Sequence, residues 1–295
     1  MPDFGIFRGF NEKLFGNKLY AGQLPTQLGL IGSQDFGFDP DAKAFFDRVT
    51  TAGGSLSITE KNAVNTLVVQ MKTDGIWTKM KAIYPMVGAS AAACAQNLKN
   101  SSFTGTFTSG WTFASTGVTP NGTSAYMDTG LLPSTSLTNN STTLSYYSRS
   151  TSAANTGVEI GAAVGASSLP LIQIACNYTG LGTLHDQYSY VNGRLSVSTA
   201  NSFGFFCGSR TSSTSLKGYK NGSLVGTLTT SSTQNVTLIN RAITIAAINA
   251  FNPGISSFSN RECAFASIGD GLTDTEVSNF YTAVQAMQTT LSRNV

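Results

Sequence analysis

The sequence predicts a mainly β chain: a two-sheet antiparallel jelly-roll sandwich with an N-terminal arm and helical segment before it and a C-terminal helix after it. Three observations carry this. From about residue 84 to 270, short apolar–polar alternations are separated by Gly, Asn, Ser and Thr clusters every ~8–12 residues, the spacing of a sandwich or barrel. Residues 216–228, LKGYKNGSLVGTL, read as strand, Asn221-Gly222 turn and return strand, because both turn positions favour positive φ. Residues 263–291, CAFASIGDGLTDTEVSNFYTAVQAMQTTL, read as a last strand, a tight turn and one amphipathic helix.

Taken in order, residues 1–38 are rich in Phe and Gly (Phe4, Phe7, Phe10, Phe15, Phe36, Phe38) and have neither helical nor strand period. They read as an extended attachment arm, docked on another chain or folded back over the protein's own core. Residues 39–83 read as helices. Asp39 can cap, and Pro40 suits the first helical position. Phe45, Phe46 and Val49 form an apolar stripe that stops at Gly53-Gly54. Ser57-Ile58-Thr59-Glu60 is a capping box, in which hydroxyl and carboxylate satisfy free backbone donors at the helix start. Val64, Leu67, Val68 and Met71 follow at i, i+3, i+4, i+7. Asp74-Gly75 breaks the run, and Ile76, Trp77, Met80 and Ile83 continue it as a short third helical piece in which Trp77 is core.

Residues 84–295 hold the sandwich and its closing helix. The expected strands are Thr142–Arg149, Leu169–Cys176, Ser202–Cys207, Leu216–Lys220, Leu224–Thr229 and Ala242–Ile248. Asn192-Gly193, inside YSYVNGRLSV, is a second hairpin turn. The helix over 273–292 opens with the capping box Thr273-Asp274-Thr275-Glu276. Val277, Phe280, Tyr281, Val284, Met287 and Leu291 share one face.

Composition narrows the role. Hydrophobic residues make up 41% of the chain, enough for a real core, and charged residues only 11%, against ~25% in ordinary domains. The polar surface therefore comes from Ser, Thr, Asn and Gly. The net charge of +3 is too balanced for a nucleic-acid stripe; Lys72, Lys79 and Lys81, the nearest thing to one, read as a solvated face. Cys94, Cys176, Cys207 and Cys263 form no C-x-x-C pair and three sit in apolar runs, so they read as buried thiols, with two disulfides as the alternative. The single histidine excludes His-rich metal sites. The N-terminus carries no export signal, and no run reaches the ~20 apolar residues of a membrane span.

Chemistry is sparse. Hydrolysis of a glycosidic bond needs two carboxylates ~5–9.5 Å apart. Of Glu12, Glu60, Glu159, Glu262 and Glu276, none has an acidic neighbour at i+2 or i+4 within a strand, and only Glu159 lies in an expected strand. His185 beside Asp186 is the only histidine for a Ser-His-Asp triad, and no G-x-S-x-G elbow accompanies it; it reads as a surface or packing residue beside a turn. Asp128 ends a strand and reads as a turn residue rather than a calcium ligand. No metal, no cofactor and no catalytic residue are expected. Sugar binding needs an exposed aromatic with amide or hydroxyl partners, and the loop YTGLGTLHDQYSY (178–190) supplies the candidates Asn177, Tyr178, His185 and Tyr188. The alternative is that these tyrosines face the core.

Four segments carry a resemblance. WTFASTGVTPNGTSAYMDTG (111–130), STTLSYYSRS (141–150), LKGYKNGSLVGTL and FASIGDGLTDTEVSNFYTAVQAMQTTL (265–291) resemble, in that order, the strands, hairpin and helix of laminin-G-like, concanavalin-A-like jelly rolls. Together with GIFRGFNEKLFGNKLYAGQLPTQLG (5–29) and KTDGIWTKMKAIYPMVG (72–88), the arrangement is similar to tailed-bacteriophage virion proteins. The resemblance implies a virion structural protein (capsid decoration, head fibre or tail appendage), held to other virion proteins through residues 1–83 and displaying a lectin-like face to host-surface glycans. It also implies a homo-oligomer, with a trimer as the guess, although no heptad repeat supports one. It implies assembly in the host cytoplasm and exposure on the particle; the balanced charge and the lack of a long apolar run lead to the expectation of no nucleic-acid partner and no membrane insertion. The alternative is a carbohydrate-binding module whose role is glycan recognition itself. A polysaccharide-cleaving enzyme is the third reading.

Overall fold

The computed structural model describes residues 37–151, 153–165, 168–187, 194–229, 239–251 and 254–295. The chain from Asp39 to Val295 forms one unit. It opens with α1 (Pro40–Thr51) and α2 (Ile58–Thr73), a 3₁₀ turn at Trp77–Lys79, and β1 (Met80–Tyr84). Then follow α3 (Ala91–Cys94), β2 (Thr106–Phe107), β3 (Trp111–Ala114), β4 (Gly117–Pro120), β5 (Met127–Asp128), α4 (Pro133–Ser136), β6 (Thr142–Ser148) and β7 (Ile160–Gly165). The middle of the chain holds β8 (Ser168–Tyr178), β9 (Gly182–Gln187), β10 (Ser196–Val197), β11 (Gly204–Ser212), β12 (Ser215–Lys220) and β13 (Ser223–Leu228). The chain closes with β14 (Thr244–Ile245), β15 (Ile248–Asn249), β16 (Ile255–Ser256), β17 (Cys263–Gly269) and α5 (Asp274–Thr290).

Among the described residues the strands make two sheets, and the fold is the expected antiparallel sandwich. The first sheet runs β13-β12-β11-β6-β17-β4-β3, with β1 also paired to β17; the second runs β10-β9-β8-β7-β14-β5-β2. Pairing between these strands is antiparallel except for one parallel contact of β15 with β7. Period-two alternation sorts the side chains. Tyr146, Phe206 and Ala266 stand in register on β6, β11 and β17 and face the core with Leu144, Ile172, Ile174, Ile245 and Ile268. Their neighbours Tyr147, Phe205 and Phe265 stand in register on the opposite face, and α5 lies there. Phe280 meets Phe205 and Phe265 edge-on at 5.5 and 5.8 Å, a favoured aromatic geometry, and α2 packs against α5 in turn. Helices α5 and α2 therefore lie on the outer side of the first sheet.

The helix signals hold. Asp39 caps α1 with Pro40 behind it, and Ser57–Glu60 and Thr273–Glu276 both form complete capping boxes. The boxes also bind tertiary structure: Glu60 accepts the Gly88 N–H at 2.7 Å, and Glu276 pairs with Lys79 at 2.6 Å. Lys81 pairs with Asp270 and Lys72 with Asp39 and Asp41, so each lysine of the supposed basic face already meets a carboxylate. Trp77 is buried, and the four cysteines are unpaired and buried. Asn221 and Gly222 adopt φ of 49° and 74°, the left-handed pair that a two-residue hairpin turn requires.

Three expectations need correction. The third helical piece over 76–83 is only a 3₁₀ turn, after which β1 pairs with β17; its apolar residues satisfy a strand that closes against the sheet. The single strand over 242–248 is split at Ala246, whose φ is +70°, where the chain leaves its antiparallel pairing with β7 and recrosses it as β15. The segment expected as a loop over 178–190 is described only to residue 187, and that part is a hairpin. Residues 182–187 are β9, paired with β8 across a turn at Thr179–Leu181.

Candidate functional site

The outer face of the second sheet holds the site, and β8 and β9 build it; its outward residues Leu171, Gln173 and Asp186 are buried. Their register sets Ile174 opposite His185 and Gln173 opposite Asp186. Because side chains alternate, the first pair points between the sheets and the second points outward. Leu171, Gln173 and Tyr178 of β8 line a cavity of about 130 Å³ together with Val158, Arg194 and Ile248. Ser256 and Ser257 lie at its wall. Val158, Leu171 and Ile248 also belong to a small apolar cluster with Ala163 and Ala250.

Asp186 is the electrostatic centre of this face. Its Oδ2 accepts from Gln173 Nε2 and from Arg194 Nε, each at 2.9 Å. It is only 1% exposed, and its Oδ1 has no partner. Burial pushes its carboxyl up to about 6 despite the opposing pull of Arg194 and Gln173, since removing a carboxylate from water disfavours the charged form. The ion pair is nonetheless formed, and Arg194, with a side chain 37% exposed, reaches from it into the cavity. The arrangement offers a guanidinium donor, an amide, two hydroxyls, an aromatic ring and an apolar wall around a small cavity, which is the mixture that recognises a polar ring-shaped ligand.

Of the residues singled out by sequence, Tyr178 lies on this cavity. Asn177 is adjacent and half-buried, and its carbonyl accepts from Arg261 Nη2 and from the Asn155 N–H. His185 is not on this face. It is fully buried with both ring nitrogens unpartnered, and burial pushes it down to about 3. Its ring lies over glycines: a Cβ on Gly218 would stand 2.5 Å from His185 Cδ2 and one on Gly208 3.4 Å from its Cβ. Gly208, Gly218 and Gly226 are in register across β11, β12 and β13, and Gly226 makes the same room for Leu195 and Val197. Three glycines in one row thus let β9 and β10 approach the first sheet, and His185 is a filler of that approach. Tyr188, and Phe4, Phe7, Phe10, Phe15 and Phe36 of the arm, lie outside the described residues; Phe38 is described and half-buried.

Sequence reasoning missed Gln173, Asp186 and Arg194 as one group. The usable signal was parity: positions 171 and 173 share a strand face, and Asp186 is the only acid within reach on the next strand. It also missed Phe251, the most exposed large apolar side chain described at 71%. The Phe251 ring stacks with Arg241 at 5.0 Å, and its N–H bonds the Val164 carbonyl beside cavity-lining Gly165.

The carboxylates elsewhere are structural. Glu159, expected in a strand, lies just before β7; it is fully buried and paired with buried Arg261 at 2.7 Å. It also accepts from Ser259 Oγ and from the Cys176 N–H. Asp128 accepts the Gly130 N–H at 2.8 Å, the turn role its place in D-T-G implies. Among the described residues no three His, Cys, Asp or Glu side chains converge as metal ligands, and no helix is long and apolar enough to cross a membrane.

No protein-family description and no curated protein matches the sequence. Among solved structures, domain 4 of AbnA, a GH43 extracellular arabinanase from Geobacillus stearothermophilus in complex with arabinotriose, is 14% identical with a TM-score of 0.47, over 68% of this chain and 98% of that one. The CBM40 of Ruminococcus gnavus IT-sialidase, bound to α2,3 sialyllactose, is 12% identical with a TM-score of 0.37, over 48% and 82%. The NanB sialidase of Streptococcus pneumoniae is 17% identical with a TM-score of 0.39 over 52% of this chain, which spans only 26% of that enzyme. At these scores the likenesses transfer no residue and no ligand, and the sandwich stands on its own sheet topology.

Proposed function

We propose that the chain is a non-catalytic carbohydrate-recognition module that binds through the outer face of its second sheet. The observation that carries this reading is the cavity where Tyr178, Gln173 and Arg194 converge on the sheet face that, among the described residues, no helix covers. A sugar presents hydroxyls that both donate and accept, and apolar C–H faces that favour an aromatic or aliphatic wall. Arg194, Gln173, Ser256 and Ser257 answer the first, and Tyr178, Leu171 and Ile248 the second. The test is a glycan array probed with the full chain and with Tyr178→Ala and Arg194→Ala. Binding to a defined glycan set, lost in both variants, with Tyr178→Ala melting as the wild type does and Arg194→Ala still folded by circular dichroism, is the expected result. Absence of binding across host and microbial glycans sinks the reading, as does polysaccharide turnover by the wild type.

A second reading sets this module on a virion as a decoration, fibre or appendage. It is favoured by the Phe-rich sequence of residues 1–38. Attachment in this reading runs through residues 1–83, of which α1 and α2 belong to the same unit as the sandwich. Light scattering of the full chain and of a chain starting at Asp39 tests it: assembly or particle binding that requires residues 1–38 supports display, and a monomer in both forms with no particle binding refutes it.

A further inference from the structure

We propose that the cavity takes a single uncharged sugar residue through two adjacent hydroxyls, one bonded to the outer nitrogens of Arg194 and the other to Gln173 Oε1, with Asp186 as the positioning residue. This rests on the glycan-recognition reading and specifies its ligand.

The hydrogen-bond bookkeeping leads there. Gln173 commits Nε2 to Asp186, which turns its acceptor Oε1 away from the carboxylate. Arg194 commits Nε to the same oxygen, which leaves the Nη fork to the cavity that both residues line. A pure donor and a pure acceptor fixed side by side match neighbouring hydroxyls, each of which can play either part. The buried Asp186 Oδ1 has no partner, and a ligand hydroxyl or its bridging water can satisfy it.

Charge selects against acidic sugars. Asp186 already neutralises Arg194 at 2.9 Å. A ligand carboxylate would have to compete with that partner, in a place where an incompletely paired charge is costly to bury. Size selects a single residue. The cavity of about 130 Å³ is well below the ~300–1,000 Å³ of pockets that enclose drug-sized ligands, so further units of a chain remain outside.

The experiment is calorimetry at pH 7.5 with the methyl glycosides of galactose, mannose and glucose, with matching deoxy sugars, and with methyl glucuronide and galacturonide. Expected is binding of at least one neutral glycoside, weakened tenfold or more when one of its vicinal hydroxyls is removed, with each uronide at least tenfold weaker than its neutral parent. Arg194→Lys, which keeps the charge but loses the fork, should weaken binding tenfold or more, as should Gln173→Met. Asp186→Asn frees the Arg194 charge, so the neutral-to-uronide preference should move tenfold or more toward the uronide, a change that a purely structural role would not produce. Uronides bound as well as their parents, indifference to Arg194→Lys, or an unchanged preference in Asp186→Asn overturns the proposal. Array binding to glycans with no monosaccharide affinity overturns it while sparing the wider reading, and no glycan binding of any kind overturns both.

Discussion

Replacing Glu159 by glutamine should unfold this protein far more readily than any surface change. The reason is the company that Glu159 keeps. Its Oε1 receives Arg261 Nη1 and Ser259 Oγ, both at 2.7 Å, and its Oε2 receives the Cys176 N–H at 2.5 Å. Arg261 also donates to Asn155 Oδ1 and to the carbonyls of Ala153 and Asn177, while its Nε has no partner. Both members of the pair are 0% exposed. Glu159→Gln would leave the guanidinium buried without its counter-charge, and one end of the new amide would turn a donor toward a donor. Breaking a buried pair from one side costs about 3–5 kcal/mol, a large share of the ~5–15 kcal/mol that holds a domain together. At ~2–4 °C per kcal/mol for a domain of this size, the midpoint should fall by about 6–20 °C. Urea and thermal unfolding followed by circular dichroism measure it. Glu159→Leu combined with Arg261→Met should lie closer to wild type than the sum of the two singles, because the penalty is the orphaned charge rather than the lost contact. A midpoint within ~2 °C of wild type for Glu159→Gln, or strict additivity in the double variant, would refute the reasoning. The same variant separates stability from catalysis: a hydrolytic Glu159 would lose turnover and keep its melting point.

Two further outcomes concern the space beneath His185. Its folded pKa is about 3 against ~6.5 unfolded, so the unfolded chain binds the extra proton and its contribution is lost as pH falls from 6.5 toward 3, by about 2 kcal/mol between pH 6.5 and 4.5. Asp186, at about 6 when folded and ~3.9 when unfolded, has the opposite sign and adds about 2 kcal/mol over the same interval. Wild-type stability in urea should therefore be nearly flat from about pH 6.5 to 4.5, and His185→Leu should become more stable on acidification; a His185→Leu profile that stays flat refutes the assignment. Gly218→Ala would set a Cβ 2.5 Å from the His185 ring and should cost about 1–3 kcal/mol as an overpacked core site, a loss that His185→Ala relieves if the clash is with that ring; equal melting of Gly218→Ala and wild type counts against the glycine row.

The sequence was most legible where structure is decided locally. Capping boxes, the Asn221-Gly222 turn and the apolar stripe of α5 depend on residues a few positions apart, and all are found as read. Legibility fails where pairing is long-range. Met80–Tyr84 carries an apolar pattern that helix and strand both satisfy, and only its pairing with β17, far along the chain, decides for the strand. Ala242–Ile248 reads as one strand because nothing local announces the positive φ at Ala246. That conformation is held by the chain's own crossing: the Ala246 N–H bonds the Glu159 carbonyl, and its carbonyl takes the Ser259 N–H.

The site was half legible for the same reason. Tyr178 was singled out as an aromatic near polar residues, a composition argument, and composition cannot tell the two faces of a strand apart. Once Gly180 and Gly182, both at positive φ, make a hairpin of 178–187, parity does the rest. His185 must share the face of Ile174 and fall into the core, and Asp186 must share the face of Gln173 and fall outside. A single-residue slip of β9 would exchange them, putting a carboxylate between the sheets and an imidazole on the cavity. The far sheet is shaped for the observed register: Gly208 and Gly218 leave room for the ring at position 185, and Gly226 for Leu195 and Val197. The cavity-bearing strands thus pack against three glycines in the opposite sheet, none of which lines the cavity and each of which, taken singly, reads as a turn or a weak point in a strand.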